Sequence, residues 1–68
     1  MDQGHLVHMA NQIARNLAAQ GEDAAVTMMA QHLKDFWDPR MKSAILSVDP
    51  VKLDTIAAKA VAQLGAHP

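Results

Sequence analysis

His5 and His8 stand three residues apart, a spacing that places two imidazoles on one face of a helix and would let them share a metal ion. A third ligand would have to come from His32 or from a carboxylate elsewhere, and no metal-binding motif surrounds any of them. Solvated surface histidines account for the same residues. Asp35 and Asp38 flank Phe36 and Trp37 as a carboxylate pair of the kind used in acid–base catalysis. An N-cap role for Asp38 and an exposed helix face for Asp35 explain both without a substrate. The chain has no cysteine, which removes disulfides, thiolate metal sites and thiol nucleophiles, and its three glycines are too scattered to cradle a phosphate. The expectation is therefore a non-enzymatic chain with no catalytic, cofactor-binding or metal-ligating residue of its own.

The residue types left over are those of recognition. The stretch from His32 to Met41 holds every aromatic residue, and joins a helix stop to a helix start. Asp38 followed by Pro39 reads as an N-cap with proline in the first helical position, where its missing N–H costs nothing. At such a corner Trp37 is either a core plug or a protein-binding anchor, since Trp and Arg are over-represented among interface hot spots. Arg40 falls in the first turn of the following helix, where a positive charge opposes the helix dipole; an outside acidic partner, Asp35 or Asp38 would explain it there. Asn11, Gln12, Arg15 and Asn16 form a polar cluster that reads either as a solvated face or as the hydrogen-bonding rim of an interface. The partner-binding residues expected from these arguments are Asn11, Gln12, Met28, Phe36, Trp37, Asp38, Pro39, Arg40 and Met41.

Helices must position these side chains. From about 3 to 19, Leu6, Met9, Ala10, Ile13 and Leu17 recur at three- and four-residue spacing on one stripe. Gly21 suits a helix end because it accepts a positive φ, and Glu22 and Asp23 suit the start of the next helix. The second helix, about 23–37, carries Val26, Met29, Ala30, Leu33, Phe36 and Trp37 on one arc, so both aromatics are expected to face inward. Met28 falls on the opposite, polar side and is marked as a contact residue. A third helix, about 39–48, has Met41, Ala44, Ile45 and Val48 on its stripe and Leu46 off it. Asp49-Pro50 repeats the cap-and-proline signal, predicting a fourth helix over about 50–64 that ends at Gly65. Nothing alternates with a period of two. The fold class is all-α, a small compact bundle of three to four short helices forming a single domain over residues 1–68.

At 68 residues the chain falls below the size at which one apolar core gives comfortable stability, and its apolar half leans on alanine and methionine. Association, including self-association of the isolated chain, is the expected reinforcement. Six basic against seven acidic side chains give no electrostatic footprint for nucleic acid or an anionic membrane. A small helical nucleic-acid-binding or regulatory module, with the corner at Trp37-Asp38-Pro39 as a helix-turn-helix, is the alternative that this balance disfavours. No stretch is apolar enough to span a membrane, and the chain opens without a basic and apolar leader, so a cytoplasmic location is expected.

Two strings, His5-Leu6-Val7-His8-Met9-Ala10-Asn11-Gln12-Ile13-Ala14 and Phe36-Trp37-Asp38-Pro39-Arg40-Met41, in this order and spacing, resemble the delta subunit of NAD-dependent, molybdenum-containing formate dehydrogenase. The resemblance implies a small accessory subunit of a cytoplasmic complex. Its large partners, most directly the molybdenum-binding alpha subunit, would hold the molybdenum cofactor, iron–sulfur clusters, FMN and the NAD site. It leaves two roles open, a stable subunit or an assembly chaperone that departs. His8 and Leu17 depart from the family pattern, in which position 8 is often basic and an aromatic is common near position 17.

Overall fold

The computed structural model describes residues 2–66; residues 1, 67 and 68 of the expected single domain lie outside the described residues. Among the described residues four helices follow one another: α1 (Gln3–Leu17), α2 (Glu22–Phe36), α3 (Pro39–Leu46) and α4 (Thr55–Ala66). Short 3-10 turns occupy Ala18–Gln20 and Pro50–Lys52, and there is no strand among the described residues. The fold is all-α, as the periodicity predicts.

Asp2 caps α1, its carboxylate accepting the Gly4 N–H at 3.0 Å. The apolar stripe of α1 delivers Leu6, Ala10 and Ala14 to the core, while Val7, Met9, Ile13 and Leu17 pack against its edge. The first helix is shorter than the expected 3–19 because its final turn tightens into the 3-10 turn. Gly21 then has φ 92° and ψ 150° and serves as the N-cap of α2. This region of backbone space is open essentially to glycine alone. A Cβ at Gly21 would meet nothing within 4 Å, so backbone strain is the whole cost of adding one. We expect Gly21→Ala to lower unfolding free energy by about 1–2 kcal/mol, measured by urea denaturation with an unchanged m-value.

The inward faces of α2 and α4 form the most extensive helix pair, with α1 and α3 closing the other sides. Met29 and Leu33 of α2 and Ile45 of α3 are fully buried beside Leu6. Ala57 and Ala60 of α4 are also fully buried, and their small side chains let α4 approach α2 closely. Lys59 pairs with Glu22 at the far end of these two helices. The hydrogen bond to Glu22, and then its charge, raise the Lys59 pKa above its ordinary value of 10.5. The pair's contribution is thus complete below that value and lost as pH rises through the raised one.

The fourth helix corrects the sequence expectation. Asp49 does cap a turn, accepting the Val51 N–H at 3.1 Å, but the chain becomes extended at Leu53 (φ −102°, ψ 145°) and α4 starts only at Thr55. The cause lies on α1. Asn11 donates its side-chain N–H to the Lys52 carbonyl (3.2 Å) and accepts the Asp54 N–H (2.8 Å). In a continuous helix those two groups would pair with Ile56 N–H and Pro50 C=O. Asn11 takes both, and the break turns Leu53 into the core, where it is 8% exposed. At the other end α4 continues through Gly65 to Ala66, past the expected stop.

Candidate docking surface

The corner between α2 and α3 is held by several independent bonds. Trp37 leaves the helical conformation (φ −87°, ψ 132°) while its N–H still donates to the Leu33 carbonyl at 3.1 Å. Asp38 caps α3, its Oδ1 accepting the Met41 N–H at 2.9 Å, and Pro39 occupies the first turn. Lys42 Nζ reaches back to the Lys34 carbonyl at 2.8 Å, satisfying one of the orphan acceptors at the end of α2.

This geometry separates the two aromatics. Trp37 is 5% exposed and belongs to the core, so of its two roles burial selects the plug. Phe36 is 75% exposed, which corrects the expectation that both face inward. The helical wheel places Phe36 near the core arc, but α2 ends there. Trp37, although extended, still reaches the core. Phe36 instead lies against His32, ring centroids 4.9 Å apart and tilted by 35°.

Met28, His32 and Phe36, four residues apart along α2, make an outward ridge. Met28 is 46% exposed, as its off-stripe position predicts. Thr27, Gln31 and Asp35 run alongside, with the Gln31 amide donating to both Asp35 carboxylate oxygens at 3.0 Å. Pro39 and Arg40 are exposed at the corner and Met41 is half-buried against the core. Arg40 takes part in no ion pair among the described residues: Asp35 is held by Gln31, Asp38 by its cap, and the pairs formed are Lys59–Glu22 and Arg15–Asp54 at 3.6 Å. Gln12 is exposed on α1, whereas Asn11 is spent inside the domain on the latch to Lys52 and Asp54. The structure therefore gathers Met28 and Phe36 on one ridge, and gives Asn11 and Trp37 internal work.

Two features escaped sequence reasoning. The sequence offers His32 as a solvated histidine or a third metal ligand, yet it is the middle of the ridge; the i, i+4, i+8 spacing of Met28, His32 and Phe36 carries that signal. The second is a groove of about 410 Å³ between α2, α3 and α4, floored in part by Ala30, Leu46 and Leu64. Leu46, off its helix's stripe and 45% exposed, was its one visible sign. No group of three or more His, Cys, Asp or Glu side chains able to hold a metal ion occurs among the described residues. Among the described residues no helix is long and apolar enough to cross a membrane.

Fold and surface together define a small four-helix domain that keeps large apolar side chains in solvent. Residues 5–61 match the family described as the NADH-dependent formate dehydrogenase delta subunit, FdsD. That match covers most of the chain and includes both strings singled out above, and the chain belongs to this family. The family is that of a subunit of an oxidoreductase complex. No curated protein and no solved structure matches the chain.

Proposed function

We propose that this chain is a non-catalytic accessory subunit of a cytoplasmic NAD-dependent formate dehydrogenase. It docks on the large molybdenum-binding subunit and supports assembly, stability or activity of the complex. The observation that carries the reading is the ridge of Met28, His32 and Phe36 on a member of the delta subunit family. A phenylalanine three-quarters exposed on a rigid helix end is an apolar anchor already held in place, which lowers the entropy cost of binding. Arg40, exposed beside it and free of ion pairs among the described residues, supplies a charge for an acidic group on the partner. On this reading the molybdenum cofactor, iron–sulfur clusters, FMN and NAD belong to the other subunits, and the uncovered ridge drives self-association of the isolated chain.

Co-expression with the large subunits followed by gel filtration tests the proposal. The wild-type chain is expected to stay with them in fixed stoichiometry, where an assembly chaperone would leave. The double variant Met28→Asp/Phe36→Asp should fold, since both side chains are exposed, and should separate from the complex. Arg40→Ala should weaken docking roughly tenfold. Retention of all these variants at wild-type stoichiometry and salt resistance would show that the ridge and corner are not the docking surface.

A further inference from the structure

Lys34 and Lys42 line the groove between α2, α3 and α4, and no carboxylate of the described residues lines it. The full chain carries a net charge of −1, so this wall is a local reversal of sign. Lys42 is half-buried, and its bond to the Lys34 carbonyl holds the ammonium at the groove while two of its three donors have no partner among the described residues. The rest of the lining is mixed: Ala30, Leu46 and Leu64, from three different helices, give the apolar surface, and Thr27, Gln31 and Gln63 are neutral and polar. Leu46 lies so close to α4 that its Cδ2 would be 3.0 Å from a Cβ at Gly65. The missing side chain at Gly65 therefore leaves room for Leu46 to lie across the end of α4.

We propose that this groove receives an acidic amphipathic helix of the partner subunit, with aliphatic side chains against Ala30, Leu46 and Leu64 and carboxylates on Lys34 and Lys42. The inference rests on the docking reading above and names the chemistry of the segment recognised. Charge complementarity identifies the occupant: apolar surface beside two cations, with only neutral polar side chains besides and no anion among the described residues, fits apolar anchors flanked by Asp or Glu. A helix suits the site because three helices wall the groove and no strand edge among the described residues offers backbone pairing to an extended chain. Thr27 and Gln31 line both this groove and the outer face of α2 that bears the ridge. One partner surface can thus engage both sides of α2.

The test uses the complex of the full chain with its large subunits. Carbodiimide joins an ammonium to a carboxylate only when the two are in direct contact. It should link Lys34 and Lys42 to Asp or Glu residues of a partner helix, as read by mass spectrometry. Lys34→Glu, which alters an exposed side chain, should weaken docking about tenfold and flatten its salt dependence, with circular dichroism unchanged. If the wild-type chain docks, yet neither lysine cross-links and Lys34→Glu binds equally well, the groove proposal fails and the docking reading stands. A wild-type chain that does not dock removes both. Links from these lysines to Glu22 or Asp23 of a second copy, with self-association abolished by Lys34→Glu, would replace the partner helix by self-pairing and overturn the assignment.

Discussion

Trp37→Ala is expected to remove the cooperative thermal transition of this domain at physiological temperature. Truncating a buried tryptophan costs about 3–5 kcal/mol through lost apolar burial and the cavity left behind. A domain of 68 residues has a total stability of roughly 3–10 kcal/mol on per-residue averages, so the loss is a large fraction of the whole. Here the cavity would open in the one core that the indole shares with residues of all four helices, among them Leu6, Leu33, Ile45 and Ala57. Collapse cannot refill it cheaply, because the corner backbone is fixed by the Asp38 cap and by Lys42 bonded to the Lys34 carbonyl. Circular dichroism melts give the readout, and the chain's single tryptophan supplies a second one in the wild type, where native emission should be blue-shifted and move red on unfolding. Phe36→Ala is the paired control. Its ring is exposed, so melting should change by no more than about 0.5 kcal/mol equivalent. Equal effects of the two substitutions would contradict the assignment of one ring to the core and the other to the surface.

This contrast also marks where the sequence stops being legible. Apolar periodicity locates all four helices, and the Asp38-Pro39 signal gives the start of α3 correctly, because a cap is a local event whose donor lies three residues away. The wheel fails at Phe36 because it puts the ring at the edge of the core arc on the last residue of α2, where no other element covers it; Trp37 reaches the core as expected, though from an extended backbone. Asp49-Pro50 is the same local signal as Asp38-Pro39 yet starts only a single 3-10 turn. What ends it is a side chain some forty positions earlier, and no window around the turn contains that information. The surface was half legible for a related reason. Met28 and Leu46 announce themselves by lying off their stripes, whereas the groove lysines gain meaning only once α2 and α3 fold against each other.

The latch makes the last prediction: Asn11→Ala should lower stability by about 2–3 kcal/mol although it removes no apolar burial. Each net hydrogen bond contributes about 1 kcal/mol, and leaving a partly buried partner unsatisfied adds a desolvation cost of similar size. The Asp54 N–H is the partner most exposed to this penalty, since its bond is the shorter of the two at 2.8 Å and is partly buried. Asn11→Asp separates the two halves of the latch. A carboxylate still accepts the Asp54 N–H but cannot donate to the Lys52 carbonyl and repels it, so this variant should retain part of the stability while Asn11→Ala retains neither bond. Hydrogen exchange gives a direct readout: the Asp54 amide should lose protection in Asn11→Ala and keep it in Asn11→Asp. If Asn11→Ala instead leaves stability and Asp54 exchange unchanged but releases the chain from its complex, Asn11 serves the interface and the break before α4 has another cause. Because Asn11 lies on α1 and the break lies beside α4, the predicted outcome makes one amide the tie that sets where the last helix begins.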